Sequence, residues 1–268
     1  MKDYADENYL HARIYAMRGR LLSLKEYISM AKEEVSSNTA HGASNYVQAK
    51  EDMFKSQIAD IIRLAEATGR YSELFVSFLR LYEASNAKLI LAKAFGRPVL
   101  EQWCDIGPYA VLDRGLLQKQ PSPDDVKTIM EGTYLEEMLK DSSSYELIEI
   151  RIDLCTVRNC YNASKVFRGE AGKTFQEFAA MRLAATGMIW RWRLKENYLW
   201  SDEKITSHLE QLFEIFDEQV LEQKRIVEDA LSIRVEQMRA ACATPSAADI
   251  EHHLEQDFYY WVSSTFHR

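Results

Sequence analysis

The chain has 268 residues, a formal net charge of −8 and 47% hydrophobic residues, with only ten glycines and five prolines. That length allows one or two domains, and the scarcity of helix-breaking residues favours helix. The acidic balance argues against binding to nucleic acid or to anionic lipid, because both attract basic surfaces. The polar start of the chain and the lack of an apolar run of about 18 residues predict a cytoplasmic protein without direct membrane insertion.

Four cysteines are spread along the chain without a CxxC pair: Cys104, Cys155, Cys160 and Cys242. Separated cysteines without metal-ligand spacing are typical of free thiols in a reducing compartment. We therefore expect thiols that pack in the core and bind no metal.

The first part of the chain has helical periodicity. Apolar residues at spacings of three and four predict an amphipathic N-terminal helix, with a stripe made of Leu10, Ile14, Met17, Leu21, Leu24, Ile28 and Ala31. Residues 36–45 are rich in serine and asparagine and predict a loop. Helices are then predicted over residues 47–67 and 71–95, the second ended by Gly96 and Pro98.

The rest of the chain continues the helical pattern. Residues 105–115 predict a turn-rich connector, and Ser122 before Pro123 predicts a capped helix start. Residues 140–146 predict a loop. Further helices are predicted over residues 146–167, 175–198 and 203–242, the third beginning after Ser201, with a last helix starting near Ala247. No strand alternation is present, so the sequence predicts an all-α fold.

An internal repeat relates two of these helices at an offset of 100 residues. Residues 77–95 align with residues 177–195, which places Lys93 opposite Arg193. The N-terminal segment ARIYAMRGRLL aligns with the same helix and brings Arg20 to that position. A basic residue therefore recurs at one place in three segments.

A second similarity has an offset of 102 residues. It relates IEIRID, at residues 148–153, to IEHHLE, at residues 250–255, and a tyrosine-bearing segment follows each. The two offsets predict modules of similar length. The predicted helical lobes are residues 1–110, residues 111–205 and a partial third lobe over residues 206–268.

The stretch WRWR, from Trp190 to Arg193, could be a base-stacking surface, a membrane-interface anchor or two faces of one helix. Residues two apart on a helix point about 200° apart, so Trp190 and Trp192 cannot form one platform. Trp190 aligns with Ile90 and is predicted to lie in the core. Trp192 aligns with Ala92 and is predicted to face a neighbouring helix. A protein-binding surface at this stretch is the alternative.

Patterns for catalysis and metal binding are incomplete. His252 and His253 are adjacent and diverge by about 100° on a helix, which does not suit one metal ion. Gly172-Lys173-Thr174 lacks the first glycine and the preceding strand of a phosphate loop. No nucleophile accompanies the candidate carboxylates, which are Asp60, Asp153 and Glu255. The sequence predicts no enzyme activity, cofactor or metal, and it leaves open the role of a C-terminal aromatic cluster, Phe258, Tyr259, Tyr260, Trp261 and Phe266.

The N-terminal segment YLHARIYAMRGRLLSLKEY, residues 9–27, resembles the opening of the C-type subunit of prokaryotic A/V-type ATPases, a relative of the vacuolar d-type subunit. The matching residues are Tyr9, Ala12, Arg13, Ala16, Met17, Leu21 and Leu22. SNAKLILAKAFG and MIWRWR resemble the family's repeat helix, and IEIRID resembles the acidic element before it. Two departures are present: Ala92 stands where the family has an arginine, and Arg268 ends the chain before a third repeat helix. They predict a shortened or divergent member.

The resemblance implies three similar helical lobes around a pseudo-threefold axis, in a funnel-like arrangement. In the family, one side takes the rotating shaft, made of the D-type and F-type subunits, and the other side sits on the membrane ring of proteolipid subunits. The implied role is a non-catalytic rotor socket, peripheral at the inner face of the membrane, that couples ATP hydrolysis or synthesis to proton or sodium transport.

The resemblance also implies that basic residues meet acidic or carbonyl ends of the shaft helices, or the ring. These residues are Arg20, Lys93 and Arg193, with Arg13, Arg18 and Arg191 beside them. Intramolecular salt bridges between helices are the alternative role for the repeated position. The alternative function is a helical-repeat adaptor, unrelated to the rotary ATPase, that binds another protein in a concave groove. A role in nucleic-acid binding would instead require salt-sensitive binding to single-stranded oligonucleotides.

Overall fold

A computed structural model describes residues 40–99, 103–119, 121–139, 144–241, 249–250 and 253–254. All regular structure in these ranges is helical, so the prediction of an all-α fold is confirmed. The α-helices, numbered within the described residues, are α1 (Ala40–Ala67), α2 (Ser72–Ala94), α3 (Pro123–Met130), α4 (Tyr145–Ser164), α5 (Gly169–Glu196), α6 (Asp202–Phe213) and α7 (Glu218–Ala241). Short 3-10 helices cover Gly69–Tyr71, Gly107–Tyr109, Arg114–Lys119 and Glu136–Leu139. Within these ranges, no helix is both long and apolar enough to cross a membrane.

Several predictions fall on residues outside the described ranges. They concern the N-terminal apolar stripe and the C-terminal aromatic cluster. They also concern six single residues: the basic candidates Arg13, Arg18 and Arg20, with Cys242, His252 and Glu255.

The chain divides into two compact units, and the division falls within α2. One unit takes Met1–Glu83 and Trp103–Val111, and the other takes Ala84–Gln102 and Leu112–Arg268. The three predicted lobes stay a prediction.

The first unit has a small apolar core between α1, the first half of α2 and the connector. Ile58, Leu79 and Ile106 are buried together there. Glu83 is fully buried, and its carboxylate accepts a hydrogen bond of 2.5 Å from the backbone N–H of Val111. A buried carboxylate needs such donors, so this bond ties the end of the connector to α2.

The second unit is built around α5, which is buried on two faces. One face packs against α4 and α6, in a cluster that includes Leu154, Leu183 and Leu209. Another face packs against α7, where Ala184 meets Leu231. Small residues on α5 allow these close approaches. At Gly187, an added Cβ would lie 2.9 Å from Cζ of Phe213 on α6.

Local capping determines where two helices begin, as the sequence predicts. The Ser122 hydroxyl accepts a hydrogen bond from the backbone N–H of Asp125, whose carboxylate accepts one from the N–H of Ser122. This reciprocal capping box satisfies two N–H groups at the start of α3. The Ser201 hydroxyl accepts a hydrogen bond from the N–H of Lys204 in the same way at the start of α6.

Two predicted helix starts were wrong. Residues 40–45, predicted as part of a loop, belong to α1, and α5 begins at Gly169 instead of residue 175. Helix growth adds one hydrogen bond for each residue fixed, so a long helix can extend over weak helix formers. Serine, asparagine and glycine cost at most about 1 kcal/mol each there.

The single helix predicted over residues 203–242 was also wrong, because α6 and α7 are separated by a turn over residues 214–217. The carboxylate of Asp217 accepts a hydrogen bond of 2.8 Å from Nζ of Lys165, which follows α4. The turn also lets Phe213 and Phe216 both enter the core cluster. Neither glycine nor proline marks the break, so tertiary contacts explain it better than local sequence does.

Candidate functional site

The two tryptophans of the WRWR stretch lie on different faces of α5. Trp190 is 1% exposed and belongs to the cluster with α4 and α6. Trp192 is partly buried and packs against the cluster that α7 forms with α5. Both predictions are confirmed, and the two indole rings do not form a common stacking platform.

A charged cluster joins the second half of α2 to α4 and α5. It consists of Lys88, Glu149, Asp153, Trp190 and Arg193. Nζ of Lys88 lies 2.5 Å from Oδ1 of Asp153 and 4.0 Å from Oε1 of Glu149. The indole Nε1–H of Trp190 donates a hydrogen bond of 2.8 Å to Oδ2 of Asp153. The guanidinium of Arg193 lies over the Trp190 ring, 5.1 Å from its centre.

The acidic members of the cluster lie on one polar stripe of α4. Tyr145, Glu149 and Asp153 follow at intervals of four residues on a helix that buries nine of its 20 residues. Burial raises the pKa of Glu149 and is the largest influence on it, while Lys88 and Arg193 act in the opposite direction. Burial also raises the pKa of Tyr145, whose hydroxyl therefore stays protonated and donates to Glu149.

The two aligned repeat helices agree in burial mainly in their middle, because 11 of the 19 aligned positions of residues 77–95 and 177–195 share the same degree of burial. Between residues 82–90 and residues 182–190, eight of nine aligned positions share the same degree of burial. Ile90 and Trp190 are among the deeply buried ones. Side chains from both helices also reach Asp153, Lys88 from the first and Trp190 from the second. Burial thus repeats over these nine positions and not over the whole alignment.

The basic residues predicted to bind a partner occupy different environments. Lys93 lies in the last turn of α2 and is half-buried. Arg193 is half-buried in the charged cluster, where its charge partly offsets the rise that burial causes in the pKa of Glu149. Arg191 is exposed, and its Nη1 lies 3.5 Å from the hydroxyl of Thr206. Their contacts with a partner stay predictions.

The residues considered for catalysis lie in ion pairs, helices or buried positions that account for them structurally. Asp60 lies 3.2 Å from the guanidinium of Arg63, and Gly172-Lys173-Thr174 forms early turns of α5. The described residues hold no group of three potential metal ligands. Cys104, Cys155 and Cys160 are not joined in disulfides, and burial raises the pKa of the first two. A raised thiol pKa makes these cysteines weak nucleophiles.

Sequence reasoning did not single out a surface beside the charged cluster, which we call the Arg97 surface. It consists of Arg97, Tyr145 and Tyr198, and the next residue in the sequence is Leu199. The exposed Arg97 guanidinium lies 4.2 Å from the ring centre of Tyr145 and 5.5 Å from that of Tyr198. Leu199 is 85% exposed and has a φ of 56°. The polar stripe with its spacing of four residues could have indicated Tyr145, but nothing in the sequence marks the backbone of Leu199.

Comparisons with protein-family models, with curated proteins and with solved structures give no match for this chain. The site must therefore be interpreted from its own chemistry. It offers ion pairs and aromatic contacts that hold three helices together, next to an exposed arginine and leucine. Such an arrangement can stiffen a helical scaffold and present a surface to another protein.

Proposed function

We propose that this chain is a non-catalytic socket protein in the central stalk of a V/A-type ATPase. In that role it links the rotating shaft, made of the D-type and F-type subunits, to the membrane proteolipid ring. It has no catalytic site of its own, and it works at the inner face of the membrane as part of the complex. The coupled transport is of protons or sodium ions.

The repeat is the observation that carries this proposal. Residues 82–90 and 182–190 share the same degree of burial at eight of nine aligned positions, which supports two copies of one helical segment. The same helices carry the segments that resemble the repeat helix of the C-type family. The acidic segment that resembles the element before it provides Glu149 and Asp153 to the charged cluster. A socket that transmits torque needs such cross-linked helices, because bending would dissipate the torque.

The test is binding of the purified chain to the purified D-type and F-type shaft proteins of the same organism. We expect a stable complex at micromolar concentrations, detected by size-exclusion chromatography and by biolayer interferometry. The detergent-solubilised proteolipid ring serves as the second target. A chain that binds neither target would refute the socket and leave the unrelated adaptor.

Charge-reversal variants test the predicted basic contacts. Arg191→Glu changes an exposed side chain and should weaken shaft or ring binding about tenfold, as interface arginines often do. Arg225→Glu is a matched control, because Arg225 is also exposed on a helix but has no predicted role. Equal binding by both variants would remove Arg191 from the interface while leaving the socket proposal intact.

A further inference from the structure

We infer that the outer face of α7 is a docking surface for a helix of another protein that carries basic side chains beside aliphatic ones. We call it the Ile226 face, and it consists of Ile226, Ile233, Glu222, Asp229 and Glu236. It shares no residue with the predicted shaft and ring contacts, so its test does not depend on the socket. Two features of α7 carry the assignment, its exposed isoleucines and its row of carboxylates.

The isoleucines of this face are exposed, although α7 buries other aliphatic residues. Ile226 is 67% exposed and Ile233 is 58% exposed, whereas Leu231 and Val235 lie in the cluster that α7 forms with α5. The two isoleucines are seven positions apart, so they lie within about 20° of each other around the helix and about 10 Å apart along it. Apolar side chains that are exposed together on one face are typical of interaction sites, whereas single scattered ones are not.

Carboxylates repeat beside the isoleucines with the same period. Glu222, Asp229 and Glu236 are exposed and follow one another at intervals of seven residues. Each isoleucine follows one of these carboxylates by four positions and precedes the next by three, so they are neighbours on the helix surface. In the part of the chain that the structure describes, no ion pair involves these three carboxylates, and Nη1 of Arg225 lies 3.9 Å from Oε1 of Glu218 instead. The face therefore combines an apolar stripe with a local excess of negative charge.

The period and the charge of this face indicate what fits it. Apolar side chains that repeat every seven residues have the spacing of two packed helices, so the partner segment is a helix. A row of like charge beside such a stripe selects a partner of opposite charge, because opposite charges attract and like charges repel across a helix pair. The partner helix therefore carries lysine or arginine beside its aliphatic residues. The same carboxylates disfavour an anionic membrane and a second copy of α7, which would bring the same charge.

The experiment measures binding of the full chain to two synthetic helical peptides of about three heptads each, by fluorescence anisotropy. Both peptides carry leucine at the two core positions of each heptad. They differ only at the flanking positions, which hold lysine in one peptide and glutamate in the other. The chain should bind the lysine peptide at least about tenfold more tightly than the glutamate peptide, and added salt should weaken that binding.

Substitutions separate docking at this face from general attraction to an acidic protein. Ile226→Ser and Asp229→Lys should each weaken binding of the lysine peptide about tenfold, which is the usual effect of losing an interface anchor. The matched controls are Val166→Ser, at a side chain that is 42% exposed, and Glu210→Lys, which makes the same charge change at an exposed position of α6. Each control should change the affinity less than about twofold, since most exposed residues outside an interface contribute little to binding. All four variants should melt within a few degrees of the wild type, because the substituted side chains are exposed.

Each outcome supports or overturns the docking surface. A tenfold preference for the lysine peptide that Ile226→Ser and Asp229→Lys remove supports it. Equal binding of the two peptides, or no binding at micromolar concentrations, overturns it. Binding of the lysine peptide that both substitutions leave unchanged overturns it in favour of general attraction to the acidic chain. Self-association of the wild type that Ile226→Ser abolishes, detected by light scattering after size-exclusion chromatography, overturns it in favour of a second copy of this chain.

Discussion

The ion pair between Lys88 and Asp153 should contribute measurably to stability, because it joins two helices in a partly buried setting. Their side chains are 25% and 27% exposed, and the two charged atoms lie 2.5 Å apart. Exposed pairs contribute about 0–1 kcal/mol, and breaking a fully buried pair costs about 3–5 kcal/mol. We expect Lys88→Met and Asp153→Asn each to lower the free energy of unfolding by about 2 kcal/mol.

A double-mutant cycle isolates the pair from other effects of each substitution. Asp153→Asn keeps an oxygen that can accept from the Trp190 indole, so it removes charge more than shape. The double variant should cost less than the sum of the single variants by about 1–2 kcal/mol. Urea unfolding followed by circular dichroism measures all four free energies.

A matched pair provides the control for this cycle. Lys195 and Asp202 also form an ion pair, at 2.9 Å, but their side chains are 51% and 71% exposed. Their coupling should stay below about 0.5 kcal/mol, because water and salt screen it. If the Lys88–Asp153 cycle were additive within about 0.3 kcal/mol, the argument that this cluster stiffens the scaffold would be refuted.

Three further predictions concern backbone strain, packing and pH. Leu199→Gly should raise the free energy of unfolding by about 1 kcal/mol in urea titrations, and an unchanged or lower value would contradict the strained backbone. Gly187→Val should lower it by about 2–3 kcal/mol through overlap with Phe213, and adding Phe213→Leu should recover part of that loss. The hydrogen bond from Lys165 lowers the pKa of Asp217 below its ordinary value of 3.8. The ionised carboxylate therefore stabilises the folded protein above pH 3.8, and this stabilisation is lost as pH falls further. Asp217→Asn should therefore destabilise the protein slightly near neutral pH, and this cost should shrink as pH falls below 3.8. A cost that does not change with pH would argue against a role of the charge.

Glu149 should affect the pH dependence in the opposite direction. Burial raises its pKa in the folded protein, so the folded state binds a proton more tightly than the unfolded chain. Its contribution to stability is then greatest below the ordinary value of 4.5 and declines as pH rises from 4.5 through the folded pKa. The gain from Asp217 comes at lower pH, up to its ordinary value of 3.8, so the pH profile of Asp217→Asn must be compared with that of the wild type.

Helix content and several helix ends could be predicted because their causes are local. Ser122 caps α3 through its own hydroxyl, and Gly96 stops α2 with a φ of 66°. The burial of Trp190 was also predictable, because its alignment with Ile90 and the geometry of a helix are both properties of sequence spacing. These features need no knowledge of which helix packs against which.

The break between α6 and α7 and the Arg97 surface could not be predicted in the same way. The break depends on Lys165, which is 52 residues from Asp217 in the sequence, and on the shared burial of two phenylalanines. Arg97 meets Tyr145 and Tyr198 only because the end of α2, the start of α4 and the end of α5 lie near one another within the second unit. Sequence spacing on one helix carries no information about such contacts.

The sequence by itself determined that this protein is helical, where α3 begins and which tryptophan of the WRWR stretch enters the core. Periodicity and capping follow from interactions within about four residues, so the order of residues is enough for them. The tertiary structure alone decided that Lys88 pairs with Asp153 and that Leu199 is both strained and exposed. The ion pair depends on the distance between two helices far apart in the chain, and the exposure of Leu199 depends on what packs around it, so packing decides both.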